Sequence, residues 1–415
     1  MTGEDSKKSL QEEALRLHER WRGKLSIESK VPVANVYDLS IAYTPGVAEP
    51  CRHIARDPSL VDVYTGRWNT VAIVTDGSAV LGLGNIGARA ALPVMEGKSA
   101  LFKAFGAVDA FPVCIDTQDP GEIVRTVTLL EPSFGGINLE DIAAPACFEV
   151  ESRLIEDCDI PVFHDDQHGT AVVVLAAALS ACRVTGRSLD ELKIVINGAG
   201  AAGIAIARMF YHVGAREIIL CDTSGIVGAH RDDLTPVKRE VAGWTNPAGR
   251  RGDLAEAMRG TNMFVGVSVK DAVSREMVAS MDEGAVVFAM ANPDPEIMPA
   301  DALAAGAAVV ATGRSDFPNQ VNNVLGFPGI FRGALDVRAR VINREMKVAA
   351  ARALTDLVGG NVSPDYIIPR PFDPAVPAAV SAAVADAAVS SGVAREPRGP
   401  EEVAARTRAM LGLAG

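Results

Sequence analysis

Short apolar runs alternate with longer amphipathic or alanine-rich stretches along most of this chain, the rhythm of strands joined by helical crossovers. Val71-Ala72-Ile73-Val74, Ile160-Pro161-Val162-Phe163, Leu192-Lys193-Ile194-Val195-Ile196-Asn197, Glu217-Ile218-Ile219-Leu220-Cys221 and Met263-Phe264-Val265-Gly266-Val267 read as buried strands, as do 110–116, 285–290 and 309–313. Between them, 121–130, 146–155, 171–181, 204–212 and 253–258 predict helices, and from residue 341 onward the chain is alanine-rich helix broken around Pro369-Arg370-Pro371. Strands without a polar face, separated by helices, are those of parallel sheets, so the fold class is α/β. Leu10, Ala14, Leu17 and Trp21 fall on one face of a charged N-terminal helix, which must lie against a core or a second subunit.

Length changes this picture by dividing it, since 415 residues exceed one ordinary core. No uninterrupted apolar run is long enough to suggest a membrane span, and the first residues lead into no apolar signal segment. The six cysteines show no C-x-x-C spacing, which suits core thiols in a reducing compartment, so a soluble cytoplasmic protein is expected. A formal charge of −12 argues against nucleic acid or an anionic membrane as partner.

Candidate chemistry gathers at two acidic doublets. Glu140-Asp141 and Asp165-Asp166 each follow a short apolar run, with one predicted helix between them. Consecutive parallel strands present their carboxyl ends on one edge, so the doublets can meet there. Carboxylates in apolar surroundings call for a cation or a lysine, and an oxygen-only donor set suits Mg²⁺ or Mn²⁺. The plainer alternative makes Asp165 or Asp166 the N-cap of the helix that follows. His164 and His168 read as supporting groups. Lys98 becomes a base only if it lies near these acids, where a bound cation would lower its pKa; otherwise it is a solvated lysine.

The stretch Gly198-Ala199-Gly200-Ala201-Ala202-Gly203 follows a strand and opens a helix, and Asp222 ends the next strand. This is G-x-G-x-x-G in a βαβ setting, the pattern for a dinucleotide's pyrophosphate, with Asp222 for a ribose hydroxyl. Asp222 favours NAD over NADP, because Thr223 and Ser224 supply no arginine for a 2′-phosphate. Asn292 and Asn323, at later strand ends, are turn residues or ligand-binding amides.

Taken together, Tyr43-Thr44-Pro45-Gly46-Val47-Ala48, Leu81-Gly82-Leu83-Gly84-Asn85-Ile86-Gly87 with Glu96-Gly97-Lys98, Asn138-Leu139-Glu140-Asp141, Phe163-His164-Asp165-Asp166-Gln167-His168-Gly169-Thr170-Ala171 and Asn322-Asn323-Val324 resemble the malic enzymes of the compact bacterial kind, over nearly the whole chain. The resemblance implies an N-terminal α/β catalytic domain at 1–162, a Rossmann-type doubly wound parallel-sheet domain at 163–390 that binds NAD or NADP, and a helical tail at 391–415. It implies oxidative decarboxylation of L-malate to pyruvate, with Glu140, Asp141 and Asp166 holding Mg²⁺ or Mn²⁺. Lys98 and Tyr43 would act as base and acid, Asp165 would hold Lys98, Asn292 and Asn323 would contact malate and nicotinamide, and the enzyme would be a homodimer. One departure stands out: longer members carry an arginine for malate's carboxylate after the Asp-Gly pair, where this chain has Ser78 and Ala79. The backbone N–H groups of Gly46 and Val47, with Asn323 and then Arg89, are the replacements to test.

Two other classes remain. An amino-acid dehydrogenase also pairs a catalytic lysine with a dinucleotide domain but needs no acidic doublets, and a nucleotide-binding regulatory protein would keep the fold without turnover.

Overall fold

The computed structural model describes residues 3–80 and 82–413; Leu81, in the glycine-punctuated loop, lies outside the described residues. Two sheets form. The first has the order β2-β1-β3-β4, with β1 Thr70–Thr75, β2 Asp109–Cys114, β3 Gly136–Leu139 and β4 Val162–His164, all parallel. The second has the order β10-β9-β8-β5-β6-β7. Its strands are β5 Lys193–Asn197, β6 Glu217–Asp222, β7 Gly225–Ile226, β8 Met263–Gly266, β9 Val286–Ala289 and β10 Val309–Thr312. Only β7 runs antiparallel, closing a hairpin with β6. The chain goes to β6 on one side of β5 and later to β8 on the other, the reversal that opens a ligand crevice in doubly wound sheets.

The helix Asp165–Thr185 leaves β4 and carries an unbroken buried stretch from Ala171 to Ala178. By length and composition it could cross a membrane, yet 67% of its most apolar window is buried inside the protein, so it is a core helix. It starts six residues earlier than its apolar run suggests, because His164 caps it: Nδ1 accepts from the Gln167 N–H at 3.3 Å. Asp165 and Asp166 therefore sit inside the first turn and neither is the cap.

The last part of the chain returns to the first sheet. In the helix Phe327–Asp336, Phe327 and Phe331 pack on Phe102 with ring centroids 4.7 and 5.2 Å apart, and Phe331 meets Phe163 at 5.8 Å. Arg332, fully buried there, donates to Asn69 Oδ1 at 2.5 Å and pairs with Asp336 at 2.8 Å. At the other end of the chain the outcome is opposite. The N-terminal helix Gly3–Trp21 and the segment after it leave Leu10, Leu15, Trp21, Ile27, Val36 and Tyr43 exposed. So dense an uncovered apolar segment marks an interaction surface rather than scattered surface residues.

Candidate active site

The register of the first sheet explains how the acids meet. Leu139 of β3 lies opposite His164 of β4, so the next residues, Glu140 and Asp165, leave the same sheet edge side by side. Glu140, Asp141 and Asp166 each offer a carboxylate oxygen within 4.8 Å of the others. Glu140 is held by Asn138 Nδ2 at 2.9 Å, and Asp166 accepts from the Asp141 N–H at 2.8 Å. Asp141 has φ +54°, a left-handed turn that aims its backbone and side chain into the cluster. Ser78 and Ala79 support this turn: the Ala79 N–H donates to the Asp141 carbonyl at 2.9 Å, and Ser78 Oγ accepts from the Ala143 N–H at 2.8 Å.

Lys98 enters from the helix Ala88–Gly106 and is buried. Its Nζ donates to Asp165 Oδ2, lies 3.1 Å from Glu140 Oε1 and sits over the Phe327 ring, 3.8 Å from the centroid. Asn323 Nδ2 donates to the same Asp165 oxygen at 2.5 Å. Asp165 is wholly buried, and Gly169 makes room for it: a Cβ there would fall 1.7 Å from Asp165 Oδ1. Burial works against the Lys98 charge, but the carboxylates of Asp165 and Glu140 outweigh it and hold the ammonium above the ordinary lysine range. Burial likewise pushes Asp165 up to about 8, with Glu140 adding to it and Lys98 opposing, and raises Glu140 and Asp166. Burial thus raises the acids while the carboxylates raise the lysine, and the buried cluster holds more acids than cations. A divalent cation fits that deficit and the all-oxygen donor set. The lowered Lys98 pKa expected from sequence depends on that added charge, since the protein's own groups move it the other way.

Other expected residues fall elsewhere. Tyr43 ends the helix Val36–Ala42, is 66% exposed and makes no hydrogen bond with Lys98 or the acids. Gly46 and Val47 cannot offer free amides to a carboxylate, because their N–H groups already donate to Ser40 O at 2.8 Å and Tyr43 O at 2.9 Å. Arg89 is exposed at the start of the Lys98 helix. Asn292 is exposed, with its carbonyl against the backbone of Gly82 from the first domain's glycine loop. Two supports had no signal in the sequence: Phe327, and Glu151, a buried carboxylate that accepts from the His164 N–H, Gln167 Nε2 and His168 Nε2, each at 3.0 Å. Charge from His168 overcomes burial and holds Glu151 down at about 2.

The dinucleotide pattern forms as its spacing predicts. Gly200 caps the helix Ala201–His212, whose first turn holds Ala201, Ala202 and Gly203; a Cβ on Gly203 would lie 1.8 Å from the Gly198 carbonyl oxygen. A cleft of about 530 Å³ opens beside it, lined by Asn197, Gly198, Gly200, Asp222, Lys238 and Ser268. Asp222 does not face that cleft as a bare carboxylate. Arg231 Nη1 lies 2.7 Å from its Oδ1, and Lys238 Nζ donates to Oδ2. Both cations come from beyond β7, too far along the chain for the residues directly after Asp222 to announce them.

Comparison with known proteins agrees with this layout. Residues 22–155 match the malic enzyme N-terminal domain and residues 167–389 the malic enzyme NAD-binding domain. The chain is 57% identical over 404 residues to the bifunctional malic/malolactic enzyme of Bacillus subtilis, covering 97% of this chain and 98% of that one. It is 52% identical to the NAD-dependent malic enzyme of Geobacillus stearothermophilus over 90% of this chain and 78% of the other. The crystal structure of malic enzyme from Pyrococcus horikoshii superposes with a TM-score of 0.94 at 44% identity, covering 97% and 96% of the two chains. With two sheets, an acid-rich lysine site and a dinucleotide cleft in the order of these relatives, the chain belongs to the malic enzyme family.

Proposed function

We propose that the chemistry of this malic enzyme, oxidative decarboxylation of L-malate to pyruvate with a nicotinamide nucleotide as hydride acceptor, runs on Lys98 as base at the edge of the β3–β4 pair. The observation that carries this reading is the Lys98 ammonium buried between Asp165 and Glu140, beside the Glu140, Asp141 and Asp166 carboxylates. Those three carboxylates would hold a divalent cation, which would supply Lewis acidity to the oxidised substrate and a positive charge beside Lys98 that favours its neutral form. Lys98 Nζ then takes the C2 hydroxyl proton. Asp165 and Asn323 fix the direction of Nζ, and the Phe327 ring closes its apolar side against water. Once CO₂ has left, Tyr43 Oη returns a proton to C3.

Tyr43 can play that part from a second copy. Its exposure, and the uncovered apolar residues from Leu10 to Tyr64, favour a homodimer in which one subunit's N-terminal segment lies over the other's site. Six free cysteines fit a cytoplasmic setting.

The defining experiment is a malate assay with NAD and NADP in parallel, with and without Mn²⁺, following pyruvate. Failure to form pyruvate under every condition overturns the reading. EDTA treatment is expected to abolish turnover while nucleotide binding persists, and Mn²⁺ or Mg²⁺ to restore it; undiminished turnover after EDTA would remove the three carboxylates from a metal role.

For the nucleotide we propose use of both NAD and NADP. Arg231 and Lys238 neutralise Asp222, so its charge no longer repels a 2′-phosphate. Lys238→Ala is expected to cut kcat/KM for NADP about tenfold, the size of one lost hydrogen bond to a charged group, with a much smaller change for NAD. Equal losses with both nucleotides would assign Lys238 a structural part only.

A further inference from the structure

A second cavity, about 710 Å³, reaches the Asp165–Thr185 helix from Gln167 and His168 and shares no residue with the acidic cluster or the dinucleotide cleft. In a chain of charge −12 its wall carries Arg208, Arg216, Arg344 and Lys347 against one carboxylate, Glu240. Arg208 pairs with that carboxylate. Among the described residues the other three have no ion-pair partner. Arg216 donates to the carbonyls of Tyr211 at 2.6 Å and Ala215 at 2.9 Å, and Arg344 reaches His212 Nδ1 at 3.1 Å. The Lys347 ammonium makes no hydrogen bond among the described residues and lies 5.8 Å from the centroid of the Phe163 ring. Burial pulls its ammonium down to about 8, with Glu151 opposing. Three cations gathered at a concave surface without an acid in ion-pair contact with them are a site built for an anion.

We propose that this cavity binds a small anion of at least two negative charges, a phosphate ester or a polycarboxylate, and that the bound anion acts on the malate site through the first turn of the Asp165–Thr185 helix. The route is short. Gln167 and His168 line the cavity, and both donate to Glu151, which also takes the His164 N–H. His164 caps the turn that carries Asp165 and Asp166. An anion that neutralises Lys347 removes a nearby positive charge that favours ionised Glu151, and so changes the hold of that carboxylate on the turn.

Trp244 on the cavity wall, 4.7 Å from Tyr211 between ring centroids, gives a direct readout. Titrating inorganic phosphate or tricarballylate into the metal-free protein is expected to change tryptophan fluorescence saturably, and the tighter of the two identifies the anion class. Trp244→Phe removes the signal. Lys347→Met and Arg344→Ala each weaken binding about tenfold or more, the loss of a charge-assisted contact. At saturating Mn²⁺ the tighter probe shifts the malate KM about fivefold or more, within the usual range of coupling between sites. Absence of a saturable signal with both probes, or unchanged affinity in both variants, overturns the site. Saturable binding that leaves malate kinetics unchanged overturns the link to catalysis.

Discussion

Lys98→Ala is expected to lower malate turnover by about three orders of magnitude, roughly 4 kcal/mol of transition-state stabilisation, while nucleotide affinity stays within a small factor of the unaltered enzyme. The size follows from the loss of the group that takes the proton, where an ordinary contact would cost far less. The substitution also leaves Asp165 and Glu140 without their shared ammonium, so some stability is lost with it. Chemical rescue separates the two effects. A small amine such as methylamine should enter the space left by the side chain and restore part of the turnover, which it cannot do for an enzyme that has merely unfolded. Near-normal turnover without amine removes Lys98 from the mechanism.

Mixing Tyr43→Phe with Lys98→Ala is expected to recover activity that neither variant has alone. If Tyr43 of one subunit serves Lys98 of the other, each mixed dimer contains one site with both native residues. Random reassortment after unfolding and refolding together then gives about a quarter of native activity, because half of the dimers are mixed and half of their sites are intact. A tyrosine that works within its own subunit predicts no recovery, since every site then carries one of the two substitutions. The measurement therefore decides between the two arrangements whatever the activity of the single variants.

Much of this site was legible because it depends on local order. Strands, crossover helices and carboxyl-end residues are set by patterns within a few tens of residues, so Glu140, Asp141, Asp165 and Asp166 could be assigned to one sheet edge before any coordinates. Gly198, Gly200 and Gly203 were legible for a related reason: the close approach of backbone to backbone that they permit is local. What sequence could not show depends on distant chain or on charge balance. Arg231 and Lys238 reach Asp222 from beyond a hairpin that short pattern reading passes over. Phe327 arrives beneath Lys98 from more than two hundred residues away. The spent amides of Gly46 and Val47 depend on a tight backbone turn that composition does not encode. The sign of the Lys98 shift needed a count of the carboxylates around it in space.

The return of Phe327 and Phe331 to Phe102 and Phe163 bears on how the molecule is made. As the chain emerges from the ribosome, the first sheet is complete once His164 is out, but the aromatic side of its core still lacks the rings that fill it. Gly136 on β3 waits for Phe331, and the buried Asn69 waits for Arg332. The usual sequence, in which an N-terminal domain folds while the next is still being synthesised, is therefore interrupted here. The first half must remain open, its apolar face in need of protection, until the far end of the polypeptide is free to close over it.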